Sequence, residues 1–477
     1  MSTYSVTTTL PYVNSDPHIG FALEIVQADM LARYYRLKEF DVTFNTGTDE
    51  HGLKIYQKAL ENNLSPKAYC DEYAKKFEGL KDALNLSYTH FIRTTDEHHI
   101  AAAQEFWKRC DANGDIYMKE YSVKYCVGCE LEKTDSELVD GRCPDHANRE
   151  IELIEEKNYF FAFSKYQQKL LDLYRDQPDF VLPQSRMNEI RTFVEGGLND
   201  FSISRLATKM PWGVPVPGDE EQVMYVWFDA LVNYISTLGW PVAGSLFDSA
   251  WPSVQLAGKD NLRQQTAMWQ AMLMSAGIES SKQVFIHGYI TAEGQKMSKS
   301  IGNVINPYDL VAEYGTDAVR LYLLGALPSW QDGDYSQEQF EILFATKLAN
   351  GIGNLVSRVA AMAAKSFPEG IDHLDHKSDK EPMMDDALRV YDFKEYCDLV
   401  WSVVDDANMK IAQEEPFKLV KVDRDAAKKS LSELAAMIRW IGDALIPVIP
   451  ATAAEILRRY ESDILVAGEP LFPRRDQ

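Results

Sequence analysis

Four metal-ligating side chains stand in two close pairs, Cys126-x2-Cys129 and Cys143-x2-His146, with thirteen residues between the pairs. Each pair is spaced to place both of its ligands on one turn of the backbone. Three thiolates and one imidazole complete the tetrahedral shell of a structural zinc ion. The alternatives are a redox Cys-x-x-Cys pair or unrelated thiols. We predict one Zn2+ per chain, bound by these four residues.

A second group of residues suits a polyphosphate. Pro17-His18-Ile19-Gly20-Phe21 opens an amphipathic stretch, where the N–H groups and the dipole of a helix start attract phosphate. About 280 residues later, Lys296-Met297-Ser298-Lys299-Ser300 offers two ammonium groups and two hydroxyls to a pyrophosphate leaving group. Each motif is weak by itself, because a structural histidine and a solvated loop are the alternatives.

The elements that must position these residues begin with a strand, a helix and a second strand. Residues 4–10 alternate as a strand, Asp16 and Pro17 would cap and open a helix, and residues 41–46 read as the next strand. This βαβ order predicts a parallel sheet whose ligands bind at the carboxyl ends of the strands.

The pattern of apolar and charged residues changes three times along the 477 residues of the chain. Short, charge-rich segments from about 115 to 215 indicate an inserted domain around the cysteines. Strand patterns resume at 222–227 and 283–287, so the sheet is completed after the insertion. Strand patterns vanish beyond about 335, where long amphipathic segments predict an all-helical carboxyl-terminal domain.

The charge of the chain bounds its partners. Its formal net charge is −23, from 49 Lys+Arg against 72 Asp+Glu, which excludes indiscriminate binding to nucleic acid. The longest uncharged run, 230–247, contains glycine and proline and makes a poor membrane span. The amino terminus lacks the features of a secretory signal. We expect a cytoplasmic protein that does not contact a membrane.

The two motifs that suit a polyphosphate, at 17–21 and 296–300, together resemble the paired signatures of class I aminoacyl-tRNA synthetases. Further stretches, in the right order across almost the whole chain, are similar to the methionyl-tRNA synthetases. These stretches are Leu10-Pro11-Tyr12, Gly47-Thr48-Asp49-Glu50-His51-Gly52, Tyr225-Val226-Trp227-Phe228-Asp229-Ala230, Gly258-Lys259-Asp260 and His287-Gly288-Tyr289.

The resemblance implies an α/β fold of the class I synthetase type. It has a Rossmann-like parallel sheet, a zinc-containing connective insertion and an all-α anticodon-binding bundle. The expected segments are the first half of the catalytic domain at 1–115, the insertion at 116–215, the second half of the catalytic domain at 216–295, a signature-loop and stem-contact segment at 296–337, and the anticodon-binding domain at 338–477.

The resemblance also implies ATP-dependent attachment of methionine to tRNA(Met) through methionyl-adenylate, with Mg2+ accompanying ATP. Positioning and charge stabilisation would carry the catalysis, with His18, Lys296 and Lys299 as the catalytic residues. The residues expected to bind ATP are His18, Gly20, Phe21, Gly258, Asp260, Lys296 and Lys299.

The methionine site would pair Asp49 with the ammonium group of the substrate, since a buried ion needs a counter-charge. The amino-acid-binding residues implied by the resemblance are Leu10, Tyr12, Asp49, Trp227, Ala230, Leu231, Tyr234, Asn261 and Gln265. The spacing from Trp227 to Tyr234 predicts that this stretch presents one face of a helix, for which core packing is the alternative.

The anticodon would be met by the helical domain. Asn350, Asn354 and Arg358 recur every four residues as a polar row, and Phe417 could stack on a base. Without the resemblance, the alternative for this row is a solvated helix face. Selective, salt-sensitive binding of tRNA is expected on an otherwise repelling surface.

Three places depart from the family pattern. Phe21 stands where a second histidine is usual, Asn261 and Gln265 replace an apolar residue and a histidine, and Phe417 replaces a tryptophan. The alternatives are a class I synthetase for another amino acid and a catalytically weak, tRNA-binding regulatory paralogue. The insertion of about one hundred residues is short for an editing domain, and we expect a monomer.

Overall fold

The computed structural model describes residues 2–129, 131–133, 135–297 and 302–473. The chain forms two compact units. The first unit comprises Met1–Asp16, Asp41–Gly79 and Tyr88–Ile286, and the second comprises Pro17–Phe40, Leu80–Ser87 and His287–Gln477.

The strands of the described residues are β1 (Thr3–Thr7), β2 (Asp41–Thr48), β3 (His90–Arg93), β4 (Ile116–Cys126), β5 (Leu131–Lys133), β6 (Glu152–Phe161), β7 (Val181–Leu182), β8 (Phe201–Ser202), β9 (Ser204–Leu206), β10 (Pro215–Val216), β11 (Asp219–Met224), β12 (Val254–Gly258), β13 (Gln283–His287), β14 (Ile290–Ala292), β15 (Gln295–Lys296) and β16 (Gly333–Tyr335).

The α-helices of these ranges are α1 (Ile19–Leu37), α2 (Leu53–Glu61), α3 (Pro66–Glu78), α4 (Leu80–Ala83), α5 (Glu97–Ala112), α6 (Gln167–Asp176), α7 (Gln184–Glu195), α8 (Val226–Ala230), α9 (Asn233–Ser236), α10 (Phe247–Ala250), α11 (Trp269–Ser275), α12 (Pro307–Tyr314), α13 (Thr316–Leu321), α14 (Gln337–Leu343), α15 (Asn354–Ser366), α16 (Glu381–Arg389), α17 (Phe393–Glu414), α18 (Pro416–Leu419), α19 (Arg424–Leu445) and α20 (Pro450–Tyr460). Wider π-helical turns occupy Gln264–Met268, Tyr322–Ala326 and Phe344–Gly353.

A six-stranded sheet in the order β3-β2-β1-β12-β13-β7 forms the centre of the first unit. Strand β1 pairs in parallel with β2 and β12, β2 with β3, and β13 with β7. Residues 4–7 of β1 and 42–48 of β2 are buried on both faces, which suits their β-branched composition. The predicted α/β fold with a parallel sheet is confirmed.

The helix that follows β1 starts later than predicted. The prediction that Asp16 caps this helix and Pro17 opens it is wrong, because α1 begins at Ile19 with His18 as its cap. Nδ1 of His18 accepts a hydrogen bond from the N–H of Gly20 at 3.1 Å. Asp16 instead forms an ion pair with Lys76 in the first unit, at 2.7 Å.

A four-stranded antiparallel sheet in the order β5-β4-β6-β8 follows the first three strands of the chain and carries the cysteine pairs. The core of the first unit is rich in aromatic rings. Phe106 stacks on Trp269 with centroids 5.5 Å apart and meets Phe228 edge-on at 5.8 Å.

Helices dominate the second unit after β16. One apolar row of these segments lies in the core, since its members Leu348, Ile352, Leu355 and Val359 are all fully buried. Its first two members lie in the π-helical turns of Phe344–Gly353 rather than in an ordinary α-helix. Of the helices in the described ranges, none is long and apolar enough to cross a membrane.

Candidate active site and metal site

His18 caps the start of α1 with its imidazole ring. Because its Nδ1 accepts from Gly20, a neutral imidazole carries its proton on Nε2. A Cβ added at Gly20 would lie 3.0 Å from the His18 ring, so glycine lets the imidazole fold back over the first turn. Phe21 follows, half-buried, in the same turn.

The first N–H groups of α1 already have partners within the second unit. The N–H of Ile19 donates to the carbonyl of Ile305 at 3.0 Å, and that of Gly20 donates to His18. In this arrangement the imidazole of His18, rather than these two backbone groups, would meet a phosphate. This differs from the predicted cradle of backbone N–H groups.

The second signature motif approaches the first within this unit. The Cε atom of Met297 lies 3.8 Å from the position of a Cβ at Gly20. Lys296 ends β15, which pairs with β14. The side chain of Lys296 and all of Ser298, Lys299 and Ser300 lie outside the described residues.

Asp49 is held at the end of β2 beside the chain that follows β1. Its N–H donates to the carbonyl of Pro11 at 3.0 Å, and its carbonyl accepts from the N–H of Val13 at 3.3 Å. This bridge sets Asp49 opposite Tyr12, whose ring meets that of Trp227 edge-on at 6.3 Å. Asp49 is buried.

The turn after Asp49 is fixed by its neighbours. Arg93 forms two bonds to the buried carboxylate of Glu50, at 2.6 and 2.9 Å. The indole N–H of Trp212 donates to the Glu50 carbonyl at 2.5 Å, and the carbonyl of Trp212 accepts from Gly52 at 3.2 Å. These bonds restrain the backbone that presents Asp49.

Asp229 is a fully buried carboxylate that joins three elements of the first unit. Its two oxygens meet Nδ1 of His51 at 2.8 Å and Nε2 of His99 at 3.0 Å. Nδ1 of His99 lies 2.9 Å from Oγ of Ser236. Burial raises the pKa of the Asp229 carboxyl, but the charge interaction and hydrogen bond with His51 and the bond with His99 lower it below its ordinary value. Asp229 is therefore ionised.

The stretch from Trp227 to Tyr234 is two short helices rather than the single helix predicted. Helix α8 ends at Ala230, Leu231 lies in the turn, and Tyr234 lies in α9. Ala230, Leu231 and Tyr234 are buried, whereas Trp227 is half-buried.

Gln265 is tied to this stretch through Tyr234. Its Nε2 donates to the Tyr234 hydroxyl at 2.7 Å. Its Oε1 is buried and meets no hydrogen-bond donor among the described residues. The side chain thus presents a buried polar atom at a position where the resemblance implies a histidine.

Gly258 ends β12, at the carboxyl edge of the central sheet. The next turn, Lys259–Asn261, carries Asp260 exposed and Asn261 half-buried. Ligands of parallel sheets bind at this edge, where the predicted ribose contacts therefore stand. Leu10 is half-buried beyond the end of β1, at the same edge.

Cys126, Cys129, Cys143 and His146 converge as predicted. Their ligand atoms all lie within 4.8 Å of one another. Sγ of Cys129 is 3.4 Å from Sγ of Cys143 and 3.2 Å from Nδ1 of His146. In a tetrahedral shell with zinc–sulfur bonds of about 2.3 Å, the sulfurs stand about 3.8 Å apart. The cluster therefore fits a small divalent metal.

The surroundings of the cluster also suit a cation. A Cβ at Gly128 would lie 2.4 Å from the His146 ring, so this glycine makes room for the imidazole. Burial raises the pKa of the Cys129 thiol to about 12, whereas for Cys143 hydrogen bonds from Cys129 and backbone N–H groups outweigh burial and lower it. A bound metal would let the crowded thiols ionise together.

The predicted anticodon residues lie on the second unit. Asn350 and Asn354 are exposed, and Arg358 is half-buried. Phe417, in α18, is 43% exposed. Helices α15 and α18 both pack against α19, so the polar row and the aromatic ring share one helical support.

The sequence did not predict the buried residues that support the backbone around Asp49 and the helix that carries Trp227. Glu50, His51 and Asp229 stand inside motifs that carried the resemblance, but no role was predicted for them. His99 follows His98 in an ordinary helical stretch, and its sequence offers no signal for a contact 130 residues away.

Comparisons with known proteins agree with this architecture. Residues 4–152 and 146–360 match the sequence family described as tRNA synthetases class I (M). The chain is 42% identical over 472 residues to the methionine--tRNA ligase of Thermosynechococcus vestitus, covering 95% of this chain and 89% of that protein. It is 38% identical over 513 residues to the Thermotoga maritima enzyme of that name, covering 99% and 80%.

A solved structure is similar over nearly the full length. Mycobacterium tuberculosis methionyl-tRNA synthetase in complex with methionyl-adenylate matches with a TM-score of 0.92 and 36% identity, covering 99% of this chain and all of that one. The fold and the site define a class I aminoacyl-tRNA synthetase. Within that class, the chain belongs to the methionyl-tRNA synthetase family.

Proposed function

We propose that this enzyme attaches methionine to tRNA(Met) at the expense of ATP, through methionyl-adenylate. The similarity to methionyl-tRNA synthetases over almost the whole chain carries this conclusion. Buried Asp49 beside the Tyr12–Trp227 aromatic pair supports the amino-acid half, and His18 with Met297 nearby supports the phosphate half.

In the first step, a carboxylate oxygen of methionine forms a bond to the α-phosphorus of ATP, and the bond from that phosphorus to pyrophosphate breaks. Negative charge grows on the phosphate oxygens. His18 donates from Nε2 to these oxygens, and Lys296 and Lys299 hold the leaving pyrophosphate. Mg2+ bound with ATP supplies further neutralisation of the phosphates.

Asp49 binds the ammonium group of methionine, and Leu10, Tyr12 and Trp227 enclose its side chain with the residues of α8 and α9. Gly258 and Asp260 contact the ribose of ATP. Gln265 and Asn261 make the pocket more polar than in relatives with a histidine and an apolar residue there.

In the second step, a ribose hydroxyl of the terminal adenosine attacks the methionyl carbonyl, and AMP leaves. No covalent enzyme intermediate is required. The enzyme contributes by holding the adenylate and the tRNA end in register.

The cysteine cluster holds a structural Zn2+ that maintains the insertion. All four protein ligands close the shell, so no position is left for catalysis. Asn350, Asn354, Arg358 and Phe417 read the anticodon loop. The proposed organisation has five segments, at 1–115, 116–215, 216–295, 296–337 and 338–477. The proposed enzyme is a cytoplasmic monomer.

Amino-acid-dependent exchange of pyrophosphate into ATP, measured with each of the twenty amino acids, tests the proposal. Methionine should support exchange, and Lys299→Ala should reduce it by about a hundredfold or more, as expected for loss of a charged transition-state contact. Exchange with another amino acid would identify a different synthetase. Binding of tRNA without any exchange would identify a regulatory paralogue.

A further inference from the structure

A buried histidine and glutamate form a pair in the second unit, outside the residues assigned above. Glu24 lies in α1 and His287 is the last residue of β13. Their side chains are only 5% and 7% exposed, and Nε2 of His287 lies 2.9 Å from Oε2 of Glu24. Two titratable groups are thus buried in direct contact.

The two partners of the His287 imidazole show how its nitrogens are hydrogen-bonded. Nδ1 of His287 lies 2.7 Å from the carbonyl oxygen of Gly288, which can only accept, so Nδ1 carries a proton. A second proton must lie between Nε2 and the Glu24 carboxyl. This hydrogen bond gives each of the two buried side chains a polar partner, which burial requires.

The pair connects the two motifs that bind phosphate. Glu24 stands six residues after His18, or about 9 Å along α1. On the other side, Gly288 packs so tightly that a Cβ there would lie 2.3 Å from the backbone of Gln331. Strand β14 follows at once, and it pairs with β15, which ends at Lys296.

A second bond anchors the far side of the signature loop to the same helix. The N–H of Ile19 donates to the carbonyl of Ile305 at 3.0 Å. The chain before the loop is therefore attached to α1 through His287, and the chain after it through Ile305.

We propose that Glu24 and His287 are positioning residues for ATP, an inference that rests on the proposed phosphate-binding roles of His18 and Lys296. Their hydrogen bond fixes the start of α1 relative to the strand that leads to Lys296. Donors on both elements then reach one polyphosphate chain in register. A small misplacement of either set of donors weakens transition-state binding.

The comparison of Glu24→Gln with Glu24→Met tests this role. The glutamine amide can donate to Nε2 of a neutral His287 while Nδ1 still bonds Gly288, so the connection survives. Methionine has similar length and cannot form the bond. In methionine-dependent exchange, kcat/KM for ATP should fall about tenfold or more in Glu24→Met and stay within about threefold of wild type in Glu24→Gln. KM for methionine should change by less than about twofold in both.

Glu338→Met, on the exposed start of α14, is the matched control and should behave as wild type. If Glu24→Met does not fold, two substitutions of His287 provide the same contrast. His287→Gln can still donate a hydrogen bond to Glu24, whereas His287→Leu cannot.

The inference would be overturned if kcat/KM for ATP fell equally in the two variants of a pair. It would also be overturned if KM rose in parallel for ATP and methionine, or if the variant that breaks the bond behaved as wild type. Absence of methionine-dependent exchange in the wild-type enzyme would instead overturn the proposed function.

Discussion

At the scale of single residues, the site depends on buried carboxylates that each have a different task. Asp49 is the residue that we propose for the substrate ammonium, whereas Asp229 contacts the imidazoles of His51 and His99. Asp229 joins His51, two residues after Asp49, to the helix that carries Trp227, so it would couple the charged and apolar parts of the proposed methionine site.

Asp229→Asn should therefore impair methionine binding. His51 and His99 contact different oxygens of Asp229, and an amide replaces one of these acceptors by an NH2 donor. We expect KM for methionine to rise about tenfold, equivalent to about 1.4 kcal/mol, with KM for ATP nearly unchanged. Steady-state exchange kinetics measure both constants. Asp176→Asn, at an exposed surface pair, is the control, and equal changes in both constants would argue against this role.

Residue identity yields candidate ligand contacts, but it does not yield the side chains that support them. Asp49, Tyr12 and Trp227 could be chosen because the motifs containing them resemble the family. The contact of His51 with Asp229 spans 178 residues and depends on how three elements pack, which no local pattern records. The capping of α1 was mispredicted because aspartate and proline are the usual helix-start residues, whereas here the imidazole of His18 supplies the acceptor.

At the scale of secondary-structure elements, a fully buried ion pair organises the second unit. Arg320, in α13, meets Asp29 of α1 at 2.8 Å and donates to the carbonyls of Leu84, Pro447 and Val448. Burial raises the pKa of Asp29, but the charges of Arg320 and Arg33 outweigh burial and lower it below the ordinary value of 3.8.

Asp29→Asn should destabilise the second unit by about 3–5 kcal/mol, because it leaves a buried guanidinium without its counter-ion. Urea unfolding followed by tryptophan fluorescence measures the effect. Asp386→Asn, which removes an exposed pair with Arg389, should cost less than about 1 kcal/mol. Similar shifts in the two variants would contradict the assignment.

The same pair gives the stability of the enzyme a pH dependence. Since the folded state lowers the pKa of Asp29, the unfolded chain binds more protons there at acid pH. The stabilisation is complete above the ordinary value of 3.8 and is lost as the pH falls through the lower folded value. The stability difference between wild type and Asp29→Asn should shrink over that range, and a constant difference would exclude the linkage.

We propose that a metal bound by the cysteine cluster stabilises the insertion, as the Asp29–Arg320 ion pair stabilises the second unit. Metal analysis should find about one zinc per chain in wild type, and Cys129→Ser should lose most of it, because structural sites need all four ligands. Cys397→Ser, a buried cysteine outside the cluster, should keep its zinc. Full zinc content in Cys129→Ser would refute the site.

Element types were predictable where the periodicity is strong. The β-branched runs of β1 and β2 and the apolar row from Leu348 to Val359 read directly as strand and helix. The π-helical turns of Phe344–Gly353 and the break between α8 and α9 were not predictable, since one extra residue per turn or a short turn leaves almost the same spacing of apolar side chains.

At the scale of the whole molecule, the net charge of −23 disfavours general binding of nucleic acid, so we propose that a few exposed positions recognise tRNA. We propose Asn354 and Phe417 as two of these positions, on helices that both pack against α19. Binding through these residues would be selective, because most of the surface repels phosphate.

Phe417→Ala should separate the two steps of the reaction. Loss of one base-stacking ring is worth about 1–3 kcal/mol, so kcat/KM for tRNA(Met) should fall about tenfold or more, while pyrophosphate exchange without tRNA stays unchanged. Met409→Ala removes an exposed apolar side chain of α17 and serves as the control. A parallel fall in exchange would mean that Phe417 acts on the fold rather than on tRNA.

Transfer of methionine from a preformed adenylate tests the central claim most directly. The enzyme is incubated with ATP, labelled methionine and pyrophosphatase, freed of unbound substrates, and mixed with tRNA(Met). The account predicts that enzyme-bound label passes to the tRNA in a single turnover with release of AMP and without further ATP. Label that never accumulates on the enzyme, or that stays there when tRNA(Met) is added, would contradict it.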